Sequence, residues 1–430
     1  MRTSLKHSPK NPKIFKRQLL RWAQRFDDVV WLDSNGHKDK LRSYDAILAV
    51  DAFTSLQTDY HEAFYRLDEY QQVTKDWIFG YLTYDLKNSI EDLRSNNFDG
   101  IEHPDLYFFQ PKKLFLVKDD SVEIRYLRLV EDEIEADLKT IKQLNGQAGK
   151  PASNGIKIKL RIHKDEYFEK VNTMLTHIQR GDIYEANFCQ EFYAENRTID
   201  TIETFNKLNE ISQPPFATFL KCGEKYLLSA SPERYIKKDG TRVISQPIKG
   251  TAKRSLDPKE DKLFAERLSK DEKERSENIM IVDLVRNDLS HTAERGSVKV
   301  EELCKVYSFL QVHQMISTIS SQVSEKIKPV DILKTTFPMG SMTGAPKISA
   351  MKIIEELEET KRGLYSGAVG YFTPEGDFDF NVIIRSILYN AQKQYISYSV
   401  GSAITAKSNP LKEYEECLIK AKAMREVLEN

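Results

Sequence analysis

The sequence predicts an α+β fold, in which antiparallel sheets and helices are both present but do not alternate regularly. Short strand patterns such as "ATFLKCG", "KYLLSAS" and "RVISQPI" follow one another across short turns, which favours antiparallel pairing. Helical patterns lie between these runs of strands, at about residues 258–290, 345–361 and 410–429. Runs of strands separated by helices are typical of an α+β layout and not of repeated βαβ units.

The composition is that of a soluble globular protein. The chain has 430 residues, of which 40% are hydrophobic and 30% are charged. Its 64 basic and 65 acidic residues give a net charge of −1, which argues against a dedicated nucleic-acid binder. No apolar run reaches the length of a membrane helix, and the basic N-terminus lacks the apolar segment of a signal peptide, so we expect a cytoplasmic protein.

The cysteines predict no metal site or disulfide, and one linker-like stretch divides the chain into two parts. Cys189, Cys222, Cys304 and Cys417 form no C-x-x-C pair, so reduced thiols are expected in preference to zinc ligands or disulfides. The stretch "NGQAGKPASNG" (145–155) has the composition of a linker. It separates an N-terminal part, residues 1–150, from a C-terminal region, residues 156–430.

Two predicted helices carry paired carboxylates. Glu274 and Glu277 are three residues apart, and Glu277 is followed directly by an apolar run. Glu413, Glu416 and Lys420 share one face of the last helix. Four carboxylates on two helices suit Mg²⁺, with one or two direct ligands and the others acting through water. A solvated charged face is the alternative interpretation of the same spacing.

Other residues are unusual for their surroundings. The loop "FPMGSMTGAPK" (337–347) could bind an anion at the start of a helix, but it lacks the order of a P-loop, and it could equally be a capping turn. Arg385 stands in an apolar strand pattern and needs a carboxylate partner, from a ligand or from the protein itself. Glu233, in "SASPERY", could be a general acid or a surface turn residue, and His313 could be a core histidine.

These segments together resemble the motifs of the chorismate-utilising enzyme family. The resemblance rests on seven segments in order: "SPERY", "PIKGT", "SENIMIVDLVRNDLS", "GSMTGAPKISAM", "GLYSGAVGYF", "VIIRS" and "EYEECLIKA". It covers residues 160–428 strongly and reaches the N-terminal part weakly through "FGYLTYDL" (79–86). The resemblance implies an α/β/β/α sandwich of two antiparallel sheets with helices outside, in which residues 1–150 and 156–430 are interleaved in one unit.

Lys249, in "PIKGT", distinguishes between branches of that family. By resemblance, the anthranilate-forming branch carries alanine at this position, whereas the branch that forms aminodeoxychorismate carries lysine. The resemblance implies that Lys249 attacks C2 of chorismate, that ammonia then enters at C4, and that the product is a precursor of 4-aminobenzoate and folate. An apolar cleft, Mg²⁺ and the cations Lys253 and Arg254 are expected to lower the pKa of Lys249. Anthranilate synthesis and a non-catalytic chorismate- or partner-binding protein are the alternatives.

The resemblance also implies roles for the other residues. Glu233 would be the general acid, and His313 would lie near the C4 side of the ring. Glu277 and Glu416 would bind Mg²⁺ directly, with Glu274 and Glu413 acting through water. The residues implied to hold the substrate are Tyr365, Arg385, Gly344, Ala345, Gly401, Lys420 and Thr251.

Two positions depart from the family pattern. Ser402, in "SVGSAIT", adds bulk where a smaller residue is usual, and Glu185, in "IYEANF", stands where ammonia-using members have glutamine and water-using members have lysine. The missing lysine argues against water as the nucleophile. The chain has no G-x-C-x-G motif of a glutaminase, so we expect ammonia to be free or to come from a separate glutamine amidotransferase subunit. No lyase domain is expected, so the product should leave as aminodeoxychorismate.

Overall fold

The computed structural model describes residues 1–37, 40–146, 155–309 and 312–429. Most of the predicted linker, residues 147–154, lies outside the described residues. The strands are β1 (Arg2–His7), β2 (Asp28–Asp33), β3 (Ala46–Thr58), β4 (Ile78–Leu82), β5 (Leu106–Lys118), β6 (Ser121–Leu127), β7 (Lys159–Leu160), β8 (Glu185–Ala194), β9 (Phe216–Cys222), β10 (Lys225–Ser231), β11 (Arg234–Asp239), β12 (Arg242–Gln246), β13 (Ile248–Lys253), β14 (Lys299–Ser308), β15 (Val312–Gln322), β16 (Gly344–Ala345), β17 (Ala368–Phe372), β18 (Phe378–Val382), β19 (Ser386–Asn390) and β20 (Tyr395–Thr405). The helices are α1 (Pro12–Ala23), α2 (Ala63–Thr74), α3 (Lys87–Ile90), α4 (Ile134–Gln143), α5 (Lys164–Arg180), α6 (Thr201–Ser212), α7 (Pro258–Lys270), α8 (Glu272–Ser290), α9 (Pro329–Thr336), α10 (Lys347–Leu357) and α11 (Pro410–Glu429).

The strands form two antiparallel sheets that share the long strands β3 and β5. The first sheet runs β1-β6-β5-β3-β2-β9-β10-β19-β20-β8, with β7 and β16 beside β8. The second runs β3-β5-β4-β17-β18-β11-β12-β15-β14, with β13 following β12 along β15. Each sheet joins a block of strands from the N-terminal part to a block from the C-terminal region, because β2 pairs with β9 and β4 pairs with β17.

The molecule has four layers, in the order helices, sheet, sheet and helices, and an apolar cluster fills each of the three spaces between them. An aromatic cluster that includes Phe79, Tyr107 and Tyr371 takes buried side chains from strands of both sheets and fills the space between them. Helices α1, α4, α5, α6, α10 and α11 pack on the first sheet, and helices α2, α8 and α9 pack on the second. This arrangement confirms the α+β class and the α/β/β/α order of layers.

The predicted helix over residues 258–290 is wrong as a single element. It is divided into α7 and α8 at Asp271, whose backbone is extended and whose carboxylate accepts a hydrogen bond from the Glu274 backbone N–H at 3.0 Å. The aspartate thus caps a new helix instead of continuing the old one. Among the described helices, none is long and apolar enough to cross a membrane.

The placement of Arg385 inside a strand is also wrong. The chain leaves the second sheet after β18 and joins the first at β19, and Arg385 lies in this crossing with a φ of +53°. A second crossing, from β10 to β11, contains Glu233. Both residues therefore lie between the two sheets, where the strands change partners.

Candidate active site

The two crossings are hydrogen-bonded to each other. The Val382 N–H donates to the carbonyl of Glu233 at 3.0 Å, and the Ala230 N–H donates to the carbonyl of Arg385 at 3.1 Å. These bonds fix Glu233 and Arg385 as neighbours in one cleft. A sequence pattern marks each residue but gives no sign that the crossings are adjacent.

Glu233 is a buried carboxyl group with one short hydrogen bond. The residue is 4% exposed, and the Ser341 hydroxyl donates to its Oε1 at 2.7 Å. Burial raises the pKa of Glu233 to about 7, against the opposing effects of Ser341, Lys249 and a backbone N–H. The group is therefore near half-protonated at neutral pH, as a general acid requires.

Lys249 lies on a bulge of β13. The pairing of β13 with β15 shifts register between Ile248 and Thr251, and Gly250 has a φ of +96°, a conformation that favours glycine. The side-chain amide of Asn278, on α8, donates to the Lys249 carbonyl at 3.3 Å and supports the bulge. The bulge directs the Lys249 side chain inward, where it is 13% exposed.

The expected fall in the pKa of Lys249 is wrong in this structure. Burial disfavours the ammonium form, but the carboxylates of Glu185, Glu277 and Glu416 outweigh it and raise the pKa of Lys249 above its ordinary value. Lys249 Nζ lies 3.0 Å from Glu185 Oε1. Of the two cations expected to lower the pKa, Arg254 binds Asp261 and Lys253 lies over the Phe264 ring.

His313 is buried on β15, in register with Ala252 of β13. Its Nε2 is 3.0 Å from Asp261 on α7, and its Nδ1 is 2.9 Å from the Ser308 hydroxyl. Both ring nitrogens therefore have protein partners. This network connects α7 to the strand beside Lys249.

The four predicted metal-binding glutamates face one another across α8 and α11. Lys273 Nζ is 3.7 Å from Glu277 Oε1 and 3.6 Å from Glu413 Oε1, so this lysine stands between the helices. Glu416 is paired with Lys420 at 2.7 Å. Within the described residues, no three acidic, histidine or cysteine side chains converge closely enough to hold a metal as they stand.

The charges of this cluster nevertheless fit a hard cation. Glu277 is 8% exposed and its Oε1 has no hydrogen-bond partner, and burial raises its pKa to about 7. Burial and then the charge of Glu416 raise the pKa of Glu274. A divalent ion would relieve this crowding of carboxylates, and carboxylate oxygens are the ligands that Mg²⁺ prefers.

The loop at residues 340–345 lies against β8. Gly344 and Ala345 form the short strand β16 and pair with Ala186 and Glu185. A Cβ at Gly344 would lie 2.1 Å from the Glu185 carbonyl oxygen, so only glycine fits at this approach. The loop that was predicted to hold a carboxylate is thereby fixed next to the strand that carries Glu185.

Arg362 joins this loop to its surroundings. Its guanidinium donates to the carbonyls of Met342 and Asn187 at 2.6 Å each, and it forms a two-point pair with Glu358 at 2.9 and 2.7 Å. Three residues further on, the buried Tyr365 hydroxyl is 3.8 Å from Cys189 Sγ on β8. Arg362 thus ties together the loop, β8 and the segment that carries Tyr365.

Ser402 on β20, which departs from the family pattern, does not point to the same side of the strand as the neighbouring Gly401. Lys420 Nζ donates to the Gly401 carbonyl at 2.8 Å. The Ser402 side chain is buried on the other face of the strand, 3.4 Å from the Tyr167 hydroxyl in the helix-covered core. The added bulk therefore lies on the face of β20 that α5 and α11 cover, next to Tyr167. Thr251 is exposed on β13.

A family comparison decides what kind of protein carries this cleft. Residues 27–426 match the family described as chorismate binding enzyme. The chain belongs to this family. The match covers both the N-terminal part and the C-terminal region that the sequence divides near residue 150.

Two curated relatives of this chorismate-binding chain carry different names. "Aminodeoxychorismate synthase" of Streptomyces griseus is 37% identical over 330 residues, which are 73% of this chain and 45% of that protein. "Anthranilate synthase component 1" of Thermus thermophilus is 34% identical over 359 residues, which are 82% of this chain and 77% of that protein. The chain thus spans less than half of the first relative and about three quarters of the second.

A solved structure supports the fold of this chorismate-binding chain. Anthranilate synthase component I from Streptococcus pneumoniae superposes with a TM-score of 0.77 and 26% sequence identity. The superposition covers 91% of this chain and 94% of that one.

Several residues of the cleft were not predicted from the sequence. Lys273 could have been found from its spacing, since it lies four residues before Glu277 on the same helix. Arg362 has the same signal, since it lies four residues after Glu358. Ser341 and Asn278 had none, because their partners are distant in sequence.

Proposed function

We propose that the chain is the large subunit of an aminodeoxychorismate synthase, which converts chorismate and ammonia to 4-amino-4-deoxychorismate. The observation that carries the proposal is the inward-facing Lys249 on the β13 bulge, within electrostatic reach of Glu233. A lysine amine and a half-protonated carboxyl group in one buried cleft provide a nucleophile and an acid. The name of the Streptomyces relative agrees with this assignment.

The first step is an attack by the Lys249 amine on C2 of the ring. Electron pairs shift through the two ring double bonds, and the C4 hydroxyl leaves as water with a proton from Glu233. Lys249 must lose its own proton first: Glu185, whose Oε1 lies at 3.0 Å, takes it and releases it to solvent before the second step, and Glu233 regains its proton from solvent after turnover. Ammonia then bonds to C4 and the lysine leaves C2.

The glutamates of α8 and α11 would hold Mg²⁺. Glu277 and Glu416 are the proposed direct ligands, and Glu274 and Glu413 the proposed ligands through water. When bound, the ion supplies positive charge to a substrate carboxylate and its surroundings. Lys273 would have to withdraw from Glu277 and Glu413 for the ion to bind.

Other side chains would bind and orient chorismate. Arg385, Tyr365 and Lys420 supply donors for its carboxylates, and burial lowers the pKa of Arg385, which makes an anionic partner favourable there. Gly344, Ala345 and Gly401 offer close backbone approach, and Thr251 lies beside the bulge. His313, held by Asp261 and Ser308, would act from the C4 side.

Ammonia would come from a separate glutamine amidotransferase subunit or from solution. A glutaminase needs a reactive thiolate, whereas Cys189, Cys304 and Cys417 are buried and Cys222 is half-buried. Burial raises the pKa of all four thiols. None of these cysteines is therefore suited to release ammonia from glutamine.

Anthranilate synthesis is the second candidate. The relative in Thermus thermophilus, of which the chain covers 77%, is named for that activity. The raised pKa of Lys249 also favours it, because a permanently charged lysine is no nucleophile and ammonia would attack C2 directly.

The test compares wild-type protein with Lys249→Ala in chorismate, ammonium and Mg²⁺. We expect the wild type to form 4-amino-4-deoxychorismate, detected as 4-aminobenzoate only after an auxiliary lyase is added. We expect Lys249→Ala to lose that product by about 10³-fold or more, as for removal of a nucleophile. Mass and fluorescence identify the products.

Lys253→Ala is the matched control, since Lys253 is on the same strand but lies over Phe264. It should retain wild-type turnover within about twofold. An unchanged rate in Lys249→Ala, or anthranilate from the wild type, would reject the proposed function.

A further inference from the structure

Glu185 carries a carboxylate oxygen that the proposed reaction has not used. Its Oε1 lies 3.0 Å from Lys249 Nζ, whereas its Oε2 is buried without a hydrogen-bond partner. The residue is 2% exposed. A buried carboxylate oxygen is costly unless a donor meets it. The free oxygen therefore indicates a small donor that arrives with the reaction.

We propose that Glu185 Oε2 binds the ammonium ion, the form in which the nitrogen substrate occurs at neutral pH. This inference rests on the proposed function, because it takes ammonia as the second substrate. Ammonium carries one positive charge and four N–H donors, so it satisfies a carboxylate oxygen directly.

The surrounding charges favour a cation at this point. Lys249 of β13 is the cation at Glu185, and Glu277 of α8 and Glu416 of α11 act on the same lysine. Lys273 faces Glu277 and Glu413, Lys420 is paired with Glu416, and Glu233 is half-protonated near pH 7. Three carboxylates, those of Glu185, Glu277 and Glu416, thus act on one lysine, and their combined negative charge favours a second cation.

The position of Glu185 also suits delivery of nitrogen to the ring. Glu185 is in register with Ala345, and side chains opposite each other in an antiparallel pair point to the same face. Glu185 therefore extends over the loop that is proposed to hold a substrate carboxylate. A ligand on Oε2 would share this carboxylate with Lys249, on the face of β8 to which Ala345 also points.

The proton balance of the second step closes through Glu185. Ammonium gives one proton to Oε2, and its nitrogen forms the bond to C4. Electron pairs shift back through the ring, the C2–Nζ bond breaks, and its electron pair goes to Nζ. Glu185 then passes the proton to the departing Lys249 amine, which restores the ammonium–carboxylate pair. The product leaves with a protonated amine on C4.

The test measures the KM for total ammonium at two pH values, about 7 and 8, for wild type and Glu185→Gln. Chorismate consumption is followed with ammonium chloride as the only nitrogen source. A glutamine can accept a hydrogen bond from ammonia but does not neutralise ammonium. In this range the fraction present as ammonia rises about tenfold per pH unit. We expect the KM of the wild type to change less than about twofold and that of Glu185→Gln to fall about tenfold.

Glu191→Gln is the control, because Glu191 is another buried carboxylate on β8, held by Arg161 and Ser397. Its KM for ammonium should follow the wild type at both pH values. A wild-type KM that itself falls about tenfold per pH unit overturns the proposal, even if Glu185→Gln fails to fold. The identity of the product is measured separately, so a failure of the proposed function is distinguishable from a failure of the ammonium site.

Discussion

At the scale of single residues, Glu233 and Lys249 have opposite electrostatic environments. Burial raises the pKa of Glu233 to about 7, although the Ser341 hydroxyl, Lys249 and a backbone N–H favour its charged form. Lys249 is also buried, but carboxylates oppose the effect of burial and raise its pKa. Glu233 can therefore donate a proton at neutral pH, whereas Lys249 stays protonated until a carboxylate such as Glu185 takes its proton.

A pH dependence follows from Glu233. The acid must be protonated to release the C4 hydroxyl, so kcat should be highest below about pH 7 and decline as the pH rises through the pKa of Glu233. Glu233→Gln should lower kcat by about 10² to 10⁴-fold and abolish this decline. Steady-state rates between pH 6 and 9 measure both effects. A decline that persists unchanged in Glu233→Gln would assign it to another group.

The sequence was informative about individual polar residues. Glu233, Lys249 and the four glutamates were singled out because each is a charge beside apolar residues or a repeat at helical spacing. Their electrostatics could not be predicted, because the pKa of Lys249 depends on Glu185, which is 64 positions away in the chain. Distant pairs of this kind have no signal in a single sequence.

At the scale of elements, the cleft is assembled from parts that buried ion pairs hold together. Arg362 and Glu358 connect α10, β8 and the loop at 340–345, and the guanidinium lies 4.4 Å over the Tyr84 ring. The bulge at Lys249 depends on Asn278 of α8. The positions of the loop at 340–345 and of the β13 bulge therefore depend on Arg362 and Asn278, which have no proposed contact with a substrate.

We predict that Arg362→Met destabilises the protein by about 3–5 kcal/mol, because it leaves the Glu358 carboxylate buried and unpaired. The double change Arg362→Met with Glu358→Leu should be less destabilising, since no charge remains. Urea unfolding measures both free energies. Equal stability of the single variant and the wild type would refute this view of the pair.

Lys273 gives a prediction about the metal. Because Lys273 stands between Glu277 and Glu413, it competes with a bound cation for the same oxygens. Lys273→Met should therefore lower the Mg²⁺ concentration for half-maximal activity severalfold. Isothermal titration with Mg²⁺ in the absence of chorismate is an independent measure. A weaker affinity in the variant would mean that Lys273 supports the site.

The elements themselves were predictable where the pattern is local. The helix predicted at about residues 410–429 is confirmed as α11 (Pro410–Glu429), which begins at a proline. The division at Asp271 and the crossing at Arg385 were not predicted. Each depends on contacts that override a continuous periodic pattern.

At the scale of the whole molecule, both sheets mix strands from the two parts of the chain. Strands β2 and β4 of residues 1–150 pair with β9 and β17, so the backbone hydrogen bonds of both sheets continue from one part of the chain into the other. We therefore propose that the two parts unfold as one unit.

The three tryptophans, Trp22, Trp31 and Trp77, all lie in the N-terminal part, so their fluorescence reports on it alone. Circular dichroism reports on the entire chain. We predict coincident urea transitions by the two probes. A fluorescence transition at a lower urea concentration would indicate an N-terminal part that unfolds independently.

The most direct test of the central claim is the position of the new nitrogen on the ring. Wild-type protein would be incubated with chorismate, Mg²⁺ and ¹⁵N-ammonium, and the carbon–nitrogen coupling of the product would be measured by NMR. The account predicts nitrogen on C4, in 4-amino-4-deoxychorismate. Nitrogen on C2, in anthranilate, would contradict the role of Lys249 and leave anthranilate synthesis as the function.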